Sequence, residues 1–339
     1  MGYCSKKVWR VLSYILLAVI MIFIMKKMLG DDIDSVLAQL VNINSYYVWA
    51  IILCAVGYCI MDGIVIWQIT KGYKTNFTMS KGIVGSFYTA VFRTLTFGMG
   101  SAAALIYYLN KQDVDPEVGY GIATVSYSFH KSAVALYVSV AMAFNFQFFK
   151  ANYGQYFKYI FMGCGLTVLI VTGMLAVCMW NRAHEVIMYV FNAIFGRTRF
   201  ADKLLLVEKK LSTLQGETKK ILKDKTKAVM VLGMQMIKMS CWYLIPYFSI
   251  KGMDGDINIS VIRCVAVIAL VVALVGVIPT PGNVASIEIL FTLMFTALVG
   301  ETYAGGAMVI YRFTTYYVSF FVALIILGGV RLCRKYKIS

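Results

Sequence analysis

Charge is scarce in this chain. Asp, Glu, Lys and Arg make up 14% of its 339 residues, against 60% that are hydrophobic. Acidic residues are scarcer still, 16 against 32 Lys and Arg, which leaves a net charge of +16. Histidine occurs twice, as His130 and His184, and offers little material for a nucleophile–base pair. Long polar stretches are missing too. The longest, Asn181–Lys227, runs to about 45 residues, short of the ~100–150 of a usual catalytic domain. No G-x-x-x-x-G-K-[ST] loop is present, which argues against ATP as a drive. The eight cysteines form no C-x-x-C pair and mostly stand in apolar runs, as small packing residues. No metal or cofactor is expected.

What fills the chain instead is hydrophobic runs. Mean hydropathy is +0.75, and several runs reach the roughly 20 residues that cross ~30 Å of hydrocarbon. The spans are expected near 9–25, 47–69, 118–144, 156–180, 228–250 and 303–330. The first follows Lys6, Lys7 and Arg10 like a signal sequence, but no small-x-small cleavage site comes after it, so it reads as a retained span. Positive charge is unevenly placed. The loops 1–10, 70–81, 111–117, 181–227 and 331–339 hold 22 Lys and Arg, whereas 26–47, 145–155 and 251–260 hold four. That bias puts the first set, and both termini, in the cytoplasm. The segment Ser35–Asn44 reads as an outer interfacial helix. Within 181–227, the apolar positions of 197–227 recur at helical spacing among lysines, which reads as a basic amphipathic helix on the inner leaflet. These basic loops suit anionic headgroups; nucleic acid is not expected as a partner, since no binding module accompanies them. The whole chain, 1–339, reads as a single integral membrane domain.

Two hydrophobic stretches break in the middle. The first, 82–110, carries Arg93-Thr94-Leu95-Thr96-Phe97-Gly98-Met99-Gly100. Its 29 residues make two legs of about 20 Å, too short for two crossings. The second, 261–299, carries Ile278-Pro279-Thr280-Pro281-Gly282-Asn283, with Glu288 just beyond. Broken backbone at membrane depth survives only against protein or a wet cavity, and in transporters it marks substrate sites. On the charge count the two stretches enter from opposite sides. The expected fold is therefore an all-α polytopic membrane protein with about six full transmembrane helices and two oppositely oriented re-entrant hairpins, in the pattern of an inverted repeat. At the second break the prolines remove donors and Gly282 permits a close turn. Asn283 or Thr280 is expected to cap a helix starting near Val284, with Glu288 in its second turn. That helix end presents free N–H groups and partial positive charge.

Few charges lie inside the runs: Asp62, Arg93, Lys131, Lys238, Arg263, Glu288 and Arg312, with His130 titratable. Each costs at least ~2.5–3.5 kcal/mol at mid-depth, so each should face a partner or water. Five cations against two carboxylates leave a positive surplus that suits an anionic guest, and a phospholipid phosphate is the obvious one. Arg93, Gly98, Gly100, Pro279, Thr280, Pro281, Gly282, Asn283, Glu288 and Arg312 are the candidate site. Asp62, Lys131 and Lys238 are secondary candidates. Arg93 and Arg312 would hold phosphate, and Glu288 an amine or a proton. Two structural readings compete: Asp62 with Lys238 as an ion pair, and an Arg93–Glu288 salt bridge joining the two breaks. Arg263, near a boundary, is expected to snorkel, and His130 to be a hydrogen-bonded core residue.

The run Ile278–Glu288 resembles the PTPGG-x-G-x-x-E signature of the lysylphosphatidylglycerol synthase/flippase membrane-region family. Tyr311-Arg312-Phe313 is similar to that family's aromatic–Arg motif. Thr96-Phe97-Gly98-Met99-Gly100 with Ile106-Tyr107-Tyr108-Leu109 resembles its first re-entrant segment. The resemblance covers essentially the whole chain in order. Departures are Asn283 for the signature's second glycine, Ser286 for its third, and no proline in the first segment. Full-length relatives add an acyltransferase domain that transfers an aminoacyl group from tRNA to phosphatidylglycerol; these 339 residues carry none. The resemblance thus implies the part that moves charged lipid between leaflets of the bacterial cytoplasmic membrane and supports resistance to cationic antimicrobial peptides. Two other readings are a phosphatidylglycerol lysyltransferase-type enzyme and a non-catalytic partner of a separate lipid-modifying enzyme, docked through 197–227. Phospholipids are the expected partners, and a homo-oligomer is compatible with the sequence.

Overall fold

The computed structural model describes residues 41, 43–96, 98–179, 216, 224–278, 283 and 285–336. Regular structure among them is entirely helical: α1 Ser45–Thr70, α2 Met79–Leu95, α3 Ser101–Asn110, α4 Pro116–Tyr153, α5 Phe157–Met179, α6 Lys225–Met253, α7 Val261–Val275, α8 Ser286–Val299, α9 Glu301–Arg312 and α10 Ser319–Tyr336. A π-helical turn, Phe313–Val318, joins α9 to α10 without interrupting the rod. Among the described residues, five stretches are long and apolar enough to cross a membrane: α1, α4, α5, α6 and the α9–α10 rod. The expected span 9–25 and nearly all of 35–44 and 197–227 lie outside the described residues.

Helix starts follow local chemistry. The Asn44 side chain accepts from the Tyr46 amide, Thr78 from Lys81 and Asp224 from Lys227, each satisfying an N-terminal donor. Thr78 starts α2 three residues ahead of the expected Gly82. The α4 helix overruns its expected end at 144. It kinks at Asn145, whose side chain donates to the Ala141 carbonyl, and stops at Gly154, where φ turns positive (+42°). Both broken stretches resolve into two short helices, of 17 and 10 residues in α2–α3 and of 15 and 14 in α7–α8. None of these four reaches the ~20 residues of a full crossing.

Side-chain pairs fix how the helices run. Tyr47 meets Phe248, Tyr58 stacks on Trp242 and Asp62 meets Lys238, so α1 and α6 are antiparallel. Gly63 meets Gly82 while Asp62 meets Ser86, so α2 runs back along α1. This last contact is backbone on backbone. A Cβ at Gly63 would stand 2.4 Å from the Ile83 Cα, and one at Gly82 2.4 Å from the Gly63 oxygen. Beyond Arg263 in its exposed first turn, the α7 helix is apolar on all sides and largely buried against α4, α5, α6 and α8. The helix pairs also cross-pack: α2 lies on α10, and α7 lies on α4. Between α6 and α7, the Asp256 amide and the Tyr303 hydroxyl both donate to Asp254 and hold its carboxyl below the usual range, tying that loop to α9.

The glycine contact makes a direct prediction. Gly82→Leu should lower stability by about 1–3 kcal/mol through overpacking, read as a lower thermal midpoint of the purified protein in detergent. Gly165→Leu on α5, where a Cβ meets nothing within 4 Å, should leave the midpoint unchanged.

Candidate functional site

The first break is a turn built by threonine. Thr96 Oγ1 donates to the Phe92 carbonyl (2.7 Å) and accepts from the Gly100 amide (2.7 Å), bridging the end of α2 to the start of α3. A Cβ on Gly100 would strike that same Thr96 side chain at 2.7 Å. Gly98 has φ +88°, a conformation that favours glycine, and its amide reaches back to the Arg93 carbonyl at 2.7 Å. Gly98 and Gly100 therefore shape the turn that sets where Arg93 sits.

The Arg93 guanidinium lies over two rings, Tyr58 at 5.3 Å and Trp242 at 5.1 Å. Those rings stack on each other, 3.8 Å between centroids and 6° from parallel. Lys238 approaches the Tyr58 ring as well (5.3 Å) and pairs with Asp62 at 3.1 Å, while Ser86 donates to the other Asp62 oxygen at 3.0 Å. The Asp62–Lys238 ion pair is thus present, with Lys238 buried and Asp62 partly so. No carboxylate among the described residues pairs with Arg93, and its buried Nη2 lacks a hydrogen-bond partner. Of these, Tyr58, Asp62, Arg93 and Lys238 line a cleft of about 230 Å³ together with Thr89, Ser101, Tyr127 and His130. His130 departs from the expected bonded core residue: its Nδ1 is buried without a partner. The cleft holds two fixed cations and one carboxylate, a net excess of one positive charge in a site walled by aromatics.

The second break carries its own pair. Arg312 Nε donates to Glu288 Oε1 at 2.6 Å, with both side chains almost fully buried. Its Nη2 donates to the Asn283 carbonyl at 2.8 Å, and the Tyr316 ring lies 5.1 Å from the guanidinium. Glu288 therefore pairs with Arg312 and not with Arg93. Its second oxygen is buried without a hydrogen-bond partner. The expected capping differs. The α8 helix starts at Ser286, later than Val284, so Glu288 falls in its first turn, where a carboxylate is favoured by the free amides. The N-cap residue is Ala285, with no side-chain cap, and Asn283 serves through its carbonyl instead. Asn283 and Ala285 both have left-handed backbone, φ +56° and +69°. Counted along the PTPGG-x-G-x-x-E signature these are its second and third glycine positions, the third being Ala285 and not Ser286, and non-glycine residues hold this left-handed backbone at some strain. Pro279, Thr280, Pro281 and Gly282 lie outside the described residues.

Tyr316 ties the two centres. It hydrogen-bonds Arg312 and lies within electrostatic reach of Arg93, and its carbonyl accepts from Thr94, one residue past Arg93. It sits in the π-helical turn, a widening often found at functional sites. Lys131 stands apart from the cleft, over the Tyr127 ring at 5.5 Å, and Arg263 lies over Phe148 at 5.0 Å. Sequence reasoning missed Tyr58, Trp242 and Tyr316. A signal was there: each stands four residues from an intramembrane charge (Asp62, Lys238, Arg312), one helical turn away on the same face. Among the described residues no group of His, Cys, Asp and Glu is placed to hold a metal.

Broken helices, buried ion pairs and an aromatic-walled cationic cleft define a polytopic α-helical membrane protein with a polar interior. The chain matches the family described as "Lysylphosphatidylglycerol synthase TM region" over residues 10–323, and it belongs to that family. No curated protein matches it.

The buried pair gives a second prediction. Glu288→Ala leaves Arg312 buried and unpaired, and Arg312→Ala does the same to Glu288, so each should cost about 3–5 kcal/mol. In a double-mutant cycle read by denaturation in detergent, the double variant should lose far less than the sum of the singles. Additive losses would show that the pair is not coupled.

Proposed function

We propose that this protein is a lipid translocase of the bacterial cytoplasmic membrane, passing an anionic or aminoacylated phospholipid such as lysylphosphatidylglycerol between leaflets. In this reading it contributes to resistance against cationic antimicrobial peptides. The observation that carries the proposal is Arg93: a half-buried arginine whose Nη2 is buried without a hydrogen-bond partner, in a cleft whose other cation is already matched by Asp62. A charge left unmatched in hydrocarbon is costly unless something anionic visits it. Arg fits a phosphate oxygen pair through parallel N–H groups. The Tyr58 ring, which lines the cleft, suits an amine on the same headgroup, since a cation is attracted to a ring face. Arg312 is committed to Glu288 here, so its phosphate role belongs to a second state in which that pair opens.

The reading gives the broken stretches a purpose. The pairs α2–α3 and α7–α8 act as re-entrant hairpins entering from opposite sides, with both termini in the cytoplasm. Their short helices and the cross-packing of α2 on α10 and α7 on α4 support an inverted repeat, each hairpin seated on the helix that follows the other. The tails stay in lipid while the headgroup crosses between the hairpins.

Leaflet exchange tests this. The purified chain in liposomes with labelled phosphatidylglycerol and lysylphosphatidylglycerol should speed exchange over protein-free vesicles. Arg93→Ala should reduce the rate by at least about tenfold, the cost of one lost charge-assisted contact. Absence of exchange for any lipid overturns the transport reading, and exchange indifferent to Arg93→Ala overturns the site. Aminoacylated product formed from aminoacyl-tRNA would establish the enzyme reading instead.

A further inference from the structure

A second cavity, about 110 Å³, lies behind the first. Tyr127, Lys131 and Val134 of α4 form one wall, Thr167, Ile170 and Val171 of α5 another, and Ala273, Gly276 and Val277 at the end of α7 its floor. Tyr127 lines both cavities, while its neighbours on α4 divide between them: His130 faces the cleft and Lys131 the groove. Lys131 is the groove's single charged group. Among the described residues it has no ion pair, and its ammonium is held over the Tyr127 ring at 5.5 Å. The α5 side opens onto apolar surface, with Ile170, Leu169, Leu166 and Met162 exposed. One cation at the head of an otherwise apolar groove, open to lipid along one side, has the polarity of a single phospholipid.

We infer that the groove between α4, α5 and the end of α7 is a lateral binding site for one anionic phospholipid. Its phosphate meets Lys131, one acyl chain lies along Val134, Ile170 and Val171, and Tyr127 separates it from the Arg93 cleft. Charge complementarity selects the occupant. An apolar chain alone leaves Lys131 unmatched, and a zwitterionic lipid brings a second cation to a site with no carboxylate among its lining residues. Tyr127 is positioned as the partition through which a waiting lipid passes its headgroup to the cleft. This last step rests on the transport reading; the binding site itself does not.

Native mass spectrometry of the purified full chain tests the site. The detergent-solubilised protein is titrated with phosphatidylglycerol, with phosphatidylcholine and with glycerophosphate, which has the phosphate without the tails. Wild type should retain phosphatidylglycerol in preference to phosphatidylcholine, and glycerophosphate should not displace it. Lys131→Ala should weaken retention about tenfold, Lys131→Arg should restore it, and Ile170→Trp, which fills the groove from its exposed side, should abolish one bound lipid. Arg93→Ala should remove a different bound phosphatidylglycerol, the one in the cleft, and leave the one that Lys131→Ala and Ile170→Trp remove, which separates the two sites. Equal retention of both lipids, displacement by glycerophosphate, or indifference to both Lys131→Ala and Ile170→Trp overturns the inference.

Discussion

The antiparallel contact of α1 with α6 carries the central constraint of this molecule: fixed charge must be kept inside a body made to sit in hydrocarbon. Three groups meet there, Asp62, Lys238 and Arg93, around one stacked aromatic pair. The pairing of Asp62 with Lys238 cancels two charges locally, and Ser86 occupies the remaining carboxylate oxygen. Ser86 reaches Asp62 because α2 lies almost backbone to backbone on α1 at Gly63 and Gly82. The same close approach carries Arg93, two turns further along α2, to the Tyr58 and Trp242 rings. Packing of small residues thus decides where the electrostatics fall. A buried ion pair is weak evidence for stability, since desolvation offsets most of its attraction. Its presence in this contact is better understood as fixing the geometry that leaves Arg93 over.

Aromatic rings do much of the remaining work. Lys71, Lys111, Lys131 and Arg312 each stand four residues from a Trp or Tyr whose ring they approach, at 5.2, 5.6, 5.5 and 5.1 Å. A ring one turn away is the cheapest partner a helix can offer a cation, because the i,i+4 spacing already faces them together. It stabilises the charge without neutralising it, by about 0.5–2 kcal/mol depending on exposure. A carboxylate would close the site; a ring leaves the cation available to an anion. Lys238 and Arg312 have both a ring and a carboxylate, whereas Arg93 and Lys131 have rings alone, and these two are the cations left to an outside anion.

Much of this was legible in sequence. Hydropathy and charge placement anticipate the five long helices and both breaks, because the length needed to cross a bilayer and the cost of charge within it leave few arrangements. Boundaries moved where a local group overrode the hydrophobic pattern: Thr78 starts α2 early, and α4 runs past Asn145 to a glycine stop. The site was legible as a set of residues and not as a set of pairs. Asp62 with Lys238 follows from having few charges to choose among. Glu288 with Arg312 does not, since a separation of 24 residues gives no register; the match depends on α8 starting at Ser286 and on α9 returning antiparallel to it. The two left-handed residues, Asn283 and Ala285, were equally hidden, because neither is a glycine.

Each break ends with one unsatisfied polar atom of opposite sign: Arg93 Nη2 at the first and Glu288 Oε2 at the second. Native interiors leave few such atoms, and each calls for a reason. Relaxation of the pair onto each other would satisfy both, yet Tyr316 and its π-helical turn stand between them, with Tyr316 bonded to Arg312 and its carbonyl held by Thr94. A π-turn is one residue wider than the helix around it and reverts by a small shift of register. That makes the α9–α10 junction the natural place for two arrangements of similar free energy. In one, Arg312 closes on Glu288 and Arg93 is free. In the other, on the transport reading proposed above, Arg93 and Glu288 would share a guest and Arg312 would be released. A carrier that alternates access needs such an element, biased by whatever occupies the polar centre. The two orphan atoms, one per break, are the charges through which an anionic headgroup bearing an amine would apply that bias.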